Sequence, residues 1–575
     1  MAMNSVIPIL LRRMRTPLVV LIVAYSIATV GFTLIPGVDD EGNPWTMSFF
    51  EAFYVVSYTG STIGFGEVPY AFSNGQRLWT IVSIYLTVFS WLYSVGTIIS
   101  LIQDHAFRHL LSRVQLQRSL KGFTDPFYIV CGYGDTGKLL VRALLRRGMR
   151  AVVIDQHPEA IDLLRIKDMG VHVPGFTVDA EIPENLLAAG LRHPCCEGVL
   201  AVTGNAHANL KVAITVKLLN PSSRVFCRAS NEENANNMLS FGTDLVVSPE
   251  KDFARRLLLS IREPDTHKVY DWLTAIPDTP LPDRPEPPRG HWIICGFEQL
   301  GRATYQALKD EGVDVTVITP DTRQPGVPGS SISGKGTEAV TLQQAGIERA
   351  SALLAVTRDD ADNLSILMTA RALNPNLYLG FLQNRLHNRA LFQAVDAELP
   401  VQTSFLTASR FLSVINAPLL PEFLVAAEKQ GNAWNETLTE KIQGVIGDMT
   451  PATWHLTFNA SETSAVALAH RLGEPVTLRQ LCRDPHHWSD TLKALPLMLR
   501  RDGENTLLPD LDTRIEPDDE LLVCGTSRAR RQMIWTLNHR NALRYVQTGE
   551  QRPDGLVWRW LARRRAAPAD VGDQG

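Results

Sequence analysis

Residues Ser61-Thr62-Ile63-Gly64-Phe65-Gly66-Glu67 form a run too polar and glycine-rich for hydrocarbon, yet it lies between two segments long enough to span a bilayer. Irregular backbone survives at membrane depth only where protein or water covers its polar groups, and a row of free carbonyls there can replace an ion's hydration shell. Gly64 and Gly66 permit conformations that other residues resist, so successive carbonyls can turn toward one axis, with the Thr62 hydroxyl adding an oxygen below them. The chemistry on offer is cation coordination along a pore.

A second run, Gly132-Tyr133-Gly134-Asp135-Thr136-Gly137, has the spacing of a phosphate-binding turn. Its context is a dinucleotide site: the apolar strand Phe127 to Cys131 precedes it, a helix follows, and Asp155 closes the next strand, Ala151 to Asp155. Gly132 makes the tight turn, Gly134 lets a pyrophosphate approach the helix N-terminus, and Gly137 lets helix and strand pack closely. Asp155 can accept from ribose hydroxyls and disfavours a 2′-phosphate, which selects NAD over NADP. Arg228, after the fifth strand, is available to a phosphate.

These runs need elements to hold them. Thr16 to Val38 is 23 residues without charge, about 34 Å of helix, and Leu78 to Gln103 is again uncharged. Both read as transmembrane helices. Arg12, Arg13 and Arg15 precede the first span and Arg108, Arg113, Arg118 and Lys121 follow the second, while Asp39, Asp40, Glu41 and Glu67 lie between. The positive-inside rule therefore puts both termini in the cytoplasm of a multi-pass protein of the cell's inner (plasma) membrane. Ser48 to Gly60 is apolar but only about 18 Å long as a helix, enough to reach mid-bilayer, with Glu51 near its positive end. Gly96, within the second span, reads as a hinge or as a small residue for close helix packing.

Composition closes some alternatives. The 575 residues are 45% hydrophobic and 20% charged with a net charge of −4, so the apolar excess is local and no basic footprint for nucleic acid appears. Cys131, Cys195, Cys196, Cys227, Cys295, Cys482 and Cys524 form no CxxC pair and read as reduced core residues.

After Lys121, short apolar strands alternate with amphipathic helices, which predicts parallel sheets covered on both faces. The pattern occurs twice. Ile293 to Thr319 echoes Ile129 to Asp155, LAVTRDDADNL echoes LAVTGNAHANL, and ALNP ending at Pro375 echoes LLNP ending at Pro221. Between the copies, Pro264 to Gly290 holds seven prolines and reads as a linker. In the second copy Glu298 replaces the middle glycine, Thr319 replaces the ribose acid, and Phe381 aligns with Arg228, so nucleotide sensing is expected of the first copy alone. Residues 453 to 537 read as a small β-containing subdomain. Its acidic run Thr513 to Glu520 offers oxygen ligands to a divalent cation such as Ca2+ or forms a solvated turn. Trp558 to Arg565 reads as a basic tail or a membrane-surface segment.

The run Thr62 to Glu67 resembles the potassium-channel selectivity filter Thr-Val-Gly-Tyr-Gly-Asp, departing at Ile63, Phe65 and Glu67. Losing the tyrosine hydroxyl at Phe65 removes a hydrogen bond that in that family can brace the filter. With the repeated domains after it, the chain resembles prokaryotic two-transmembrane potassium channels with tandem RCK (regulator of potassium conductance) domains. The resemblance implies a membrane α-helical pore hairpin with a re-entrant pore helix, two α/β Rossmann-like RCK domains, and a small C-terminal α+β lobe. The boundaries are 1–120 for the pore module, 121–263 and 291–440 for the RCK domains with the linker 264–290 between them, 441–547 for the lobe and 548–575 for the tail. It also implies a homotetramer with eight RCK domains in a gating ring, a ring of four Glu67 carboxylates at the outer mouth, K+ in the pore, and NAD or a related adenine nucleotide as regulatory ligand. The alternative is a membrane-anchored NAD-dependent oxidoreductase, although no Tyr-x-x-x-Lys pair or hydride-transfer histidine stands near the strand ends.

Overall fold

The computed structural model describes residues 3–103, 120, 122–275, 277–281 and 285–550. The basic flank Arg108, Arg113, Arg118 and Lys121 and the tail reading at 558–565 fall outside the described residues. The chain divides into two units, Met1–Ile129 with Arg150–Glu197, and Val130–Met149 with Gly198–Gly575.

The first unit opens with α1 (Met3–Leu34), the short α2 (Phe49–Gly60) and the long α3 (Asn74–Gln103). Among the described residues two stretches, Met14–Leu34 and Asn74–Leu101, are long and apolar enough to cross a membrane. The helices pack closely: the Trp79 indole N–H donates to the Ala28 carbonyl at 3.0 Å, and a Cβ on Gly31 would fall 2.0 Å from the Trp79 ring. α2 is seated between them, burying Ala52, Val55 and Val56 against Ala28, Phe32 and Phe72. Large apolar side chains remain exposed on the outer faces, among them Ile22, Leu34, Tyr85 and Phe89, as lipid or a neighbouring subunit requires. The same unit carries the first residues of β1 (Phe127–Cys131), and β2 (Arg150–Asp155) running parallel to β3 (Gly175–Thr177) with Val153 opposite Gly175. The Arg150 N–H donates to the Pro126 carbonyl at 2.9 Å.

The second unit continues from the end of β1 into α4 (Asp135–Arg146), then β4 (Cys196–Ala201), β5 (Arg224–Arg228) and β6 (Leu245–Val247). These three strands are parallel, and the Val202 N–H donates to the Cys131 carbonyl at the end of β1. Helices α5 (Pro249–Arg262) and α6 (Pro264–Thr274) lead into the second copy: β7 (Trp292–Cys295), α7 (Gln299–Asp310), β8 (Val315–Thr319), β9 (Ile332–Ser333), β10 (Ala352–Ala355), β11 (Tyr378–Leu382) and β12 (Leu399–Val401). Its sheet is wholly parallel in the order β9-β8-β7-β10-β11-β12, with β7 central as the doubly wound pattern demands. The helices that follow are α8 (Thr403–Asn416), α9 (Leu420–Gln430) and α10 (Asn432–Ile446). The two copies exchange helices: α5 packs on α7, and α8 on α4.

The lobe is a four-stranded antiparallel sheet of β13 (Ala452–Thr457), β14 (Ala494–Arg501), β15 (Glu504–Leu507) and β16 (Glu520–Gly525), in the order β13-β16-β14-β15. One face buries Trp454, Leu499 and Val523, the other Leu497, Met498 and Leu522.

Two readings are corrected here. The proline-rich stretch opens with a helix rather than a linker, because Pro264 is its first residue, where a missing N–H costs nothing. That helix, α6, buries Val269, Trp272 and Leu273 against α9 and α10, and the buried Asn435 amide donates to Thr266 Oγ1, Ala427 O and Gly431 O. Secondly, Arg228 corresponds to Leu382 and not to Phe381. Cys227 pairs with Ala201 in the first sheet as Phe381 pairs with Ala355 in the second, and the amides of Asn209 and Asn363 donate to the carbonyls of Arg228 and Leu382.

Candidate functional site: a carbonyl-lined pore loop and a glycine turn

The pore loop is built from α2 outward. Ser48 caps the helix, its hydroxyl accepting from the Glu51 N–H while the Glu51 carboxylate accepts from the Ser48 N–H at 2.8 Å. Glu51 is thereby explained as a capping residue. At the other end the N–H groups of Ser61, Thr62 and Ile63 turn back onto the carbonyls of Ser57, Thr59 and Tyr58. The first amides of the loop are thus bonded to the helix, and the carbonyls from Thr62 to Phe65 are left for another partner. φ is positive at Thr62 (62°), Gly64 (63°) and Gly66 (94°) but not at Ile63 or Phe65. Such alternation turns successive carbonyls toward the same side, the arrangement a cation needs. An open cavity of about 570 Å³ runs along this loop, lined by Thr59, Thr62, Gly64, Ile81, Ile84 and Val88.

Glu67 is not a bare carboxylate. Arg77 Nε and Nη2 donate to its two oxygens at 2.8 and 3.1 Å, and the Phe72 N–H adds a third bond at 2.9 Å. The expected ring of four carboxylates is therefore a ring of ion pairs in any fourfold assembly. α3 runs unbroken through Gly96, and a Cβ there would meet nothing within 4 Å, so close packing inside the chain does not account for that glycine.

The glycine turn differs between the copies in an informative way. Gly132 has φ of 102° and lies against the Thr203 backbone, and a Cβ on Gly137 would fall 2.1 Å from the Gly132 carbonyl. Gly296 and Gly301 repeat both constraints, with φ of 103° and a 2.1 Å approach. Gly134 is different. It caps α4 with φ −71° and ψ −163°, which any residue adopts, and an added Cβ would meet nothing. Its counterpart Glu298 has nearly the same backbone, φ −78° and ψ −166°, so nothing in the chain itself requires glycine at 134. The residues following β4 and β10 differ in step. Thr203 and Thr357 are held alike by Asn209 and Asn363, and the next residue is Gly204 in the first copy, with open space beside it, and Arg358 in the second. Arg358 bonds Glu298 at 2.6 Å. Where the first copy has two glycines, the second carries a largely exposed ion pair.

The remaining residues are placed as follows. Asp155 ends β2, and its Oδ1 accepts from the His157 N–H at 2.8 Å. Tyr133 and Thr136 are buried beside the turn. Asp135 Oδ2 accepts from the Leu386 N–H of the second copy at 3.1 Å, so it serves the contact between copies. Arg228 is paired with Glu250 at 3.4 Å, and burial pushes the Glu250 carboxyl up from its ordinary value with Arg228 opposing. A phosphate would compete with that carboxylate for the guanidinium. Thr319 is buried at the end of β8. The chain's one Tyr-x-x-x-Lys pair, Tyr305 and Lys309, lies on α7 with the ammonium 5.5 Å from the ring centroid.

The acidic run of the lobe is clamped. Asp519, 2% exposed, accepts from Arg501 Nε and Nη2 at 2.9 and 2.7 Å, and Arg501 also reaches Glu516 Oε1 and the Arg514 carbonyl. Among the described residues no group of three or more His, Cys, Asp or Glu is placed to hold a metal ion. Asp519→Ala should destabilise the lobe by about 2–3 kcal/mol, less than for a fully enclosed pair because Arg501 can rehydrate. Chemical denaturation followed by Trp454 fluorescence measures it.

Comparison with known proteins covers both regions. The ion channel family matches residues 19–104, and the TrkA-N domain family matches 128–249 and 292–401. Potassium channel protein 1 of Methanocaldococcus jannaschii is 27% identical over 35% of this chain and 59% of its own length. Voltage-gated potassium channel Kch of Escherichia coli is 26% identical over 36% of this chain and 48% of its own. The chain thus spans about half the length of these two relatives. Among solved structures, the GsuK channel bound to NAD aligns at 16% identity with a TM-score of 0.43, covering 93% of this chain and 99% of that one. The chain thus joins a segment similar to ion-channel domains to two segments similar to TrkA-N domains. Over part of its length the chain is similar to archaeal and bacterial potassium channels, and these relatives are channels.

Proposed function

We propose that the chain is one subunit of a tetrameric potassium channel of the cell membrane, opened or closed by a nucleotide of the NAD type bound to its first RCK domain. The observation that carries the pore is the alternation of φ from Thr62 to Gly66. One loop cannot enclose an axis, so four subunits surround it, with both termini in the cytoplasm and eight RCK domains in a ring acting on the inner helices. Gly96, through which α3 runs unbroken here, is the hinge α3 uses when the pore gates. Pairing Gly134 and Gly204 in the first copy against Glu298 and Arg358 in the second supports a single nucleotide site per chain. A ligand shifts such a pore only by its differential affinity, and moving from mostly shut to mostly open needs about 10⁴-fold, which four sites share.

Asp155→Asn tests the sensor. Losing hydrogen bonds to a charged acceptor costs about 1.5–3 kcal/mol, so the NAD concentration for half-maximal effect on potassium flux should rise roughly ten- to hundred-fold. Titrating NAD and NADH against flux in proteoliposomes, with hydride-transfer absorbance as the enzymatic control, reads it. An unshifted midpoint would remove Asp155 from the site.

A further inference from the structure

We propose that Tyr58 and Arg77 fasten the outer end of the filter from within its own subunit, so that Tyr58 sets where ion coordination ends and Arg77 sets the charge of the mouth. This rests on the pore reading above. Phe65 has no hydroxyl with which to anchor the filter. A hydroxyl is supplied instead from α2: Tyr58, 5% exposed, donates to the Gly66 carbonyl at 2.6 Å, a short distance for an O–H···O bond. Its ring also meets Phe65 edge-on at 5.7 Å, while Tyr54 stacks on the same ring at 6.3 Å. The Gly66 carbonyl is thereby held toward its own pore helix. The oxygens left for ions are the carbonyls of Thr62, Ile63, Gly64 and Phe65 and the Thr62 hydroxyl.

One residue further out, Glu67 is held by Arg77 and Phe72. Arg77, in the first turn of α3, grips both carboxylate oxygens in a two-pronged pair, and the Phe72 N–H holds the peptide between them. Four such pairs carry no net charge. A bare ring would concentrate cations by its field, whereas this mouth admits them without electrostatic attraction.

The test uses full-length protein in planar bilayers. Tyr58→Phe keeps the ring against Phe65 and removes only the hydroxyl, and the K+ to Na+ permeability ratio should fall by about tenfold or more, since one hydrogen bond is lost in each of the four subunits. Arg77→Gln leaves four uncompensated carboxylates. Block by external Mg2+ should strengthen by roughly tenfold at low ionic strength and relax toward wild type at 1 M salt, where the Debye length is about 3 Å. Adding Glu67→Gln to Arg77→Gln should return the block to the wild-type value. An unchanged permeability ratio in Tyr58→Phe would overturn the tyrosine's role, and an unchanged block in Arg77→Gln the arginine's. Glu67→Gln alone, which leaves four unpaired guanidinium groups, keeps the second arm decisive if Arg77→Gln does not assemble, since it should weaken Mg2+ block below wild type, and an unchanged block there overturns the arginine's role. Wild-type protein that passes no potassium would overturn the pore reading itself, whereas a conducting wild type with indifferent variants overturns only this fastening.

Discussion

Reconstituted Gly66→Ala protein is expected to pass no selective potassium flux while its cytoplasmic sheets fold as before. Gly66 holds φ at 94°, and an added Cβ would meet no neighbour within 4 Å. The penalty is therefore conformational rather than a clash with packing. A side chain in the left-handed region costs about 1–2 kcal/mol, and four copies around one axis make about 4–8 kcal/mol, or roughly 10³- to 10⁶-fold against the conducting backbone. Rubidium uptake into proteoliposomes gives the loss, and NAD binding by the same preparation shows that the RCK domains remain folded. Selective flux at the wild-type level would refute the assignment of these carbonyls to an ion path.

Much of the pore was legible because its signals are local. The Ser48-x-x-Glu51 spacing is a capping box, and the apolar run after it ends at Gly60, where α2 ends. Gly64 and Gly66 announce positive φ. Thr62 does not, since a β-branched residue in the left-handed region is held there by its surroundings and not by its own preference. Arg77 was missed for a different reason. It stands ten residues beyond Glu67 at the start of another helix, and no periodicity rule joins a loop carboxylate to that position.

In the cytoplasmic part the repeat itself located the strands, because buried parallel strands read as continuous apolar runs. Assigning α6 to a linker counted prolines without asking where each stood. Pro264 begins a helix, whereas Pro277, Pro285, Pro287 and Pro288 lie in irregular chain. The slip of one residue at Arg228 arose from aligning phrases without the ladder, since period two makes adjacent strand positions opposite in environment. The exchange of Gly204 for Arg358 was in plain view in the paired phrases LAVTGNAHANL and LAVTRDDADNL. Its meaning appears only when Arg358 is seen to bond Glu298.

That ion pair makes Gly134→Glu the sharpest test of which copy senses nucleotide. Glu298 demonstrates that a glutamate is compatible with this backbone and this helix N-terminus, so the variant should fold, and any loss belongs to the ligand. A carboxylate at Gly134 would stand where the pyrophosphate approaches α4. Two like charges about 4 Å apart repel by about 4 kcal/mol at an effective dielectric near 20, so NAD affinity should fall roughly thousandfold, with the added bulk deepening the loss. Adding Gly204→Arg should not restore binding, because the new guanidinium would pair with the new carboxylate as Arg358 does with Glu298, and hold it in the path of the pyrophosphate. The reverse pair, Glu298→Gly with Arg358→Gly, opens the second copy but leaves Thr319 in place of the ribose acid, so tight binding should not appear there. Thr319→Ala alone should leave the nucleotide response unchanged. Calorimetric titration of NAD into the full-length variants, alongside flux, distinguishes these outcomes, and equal sensitivity to Thr319→Ala and Gly134→Glu would move the sensor out of the first copy.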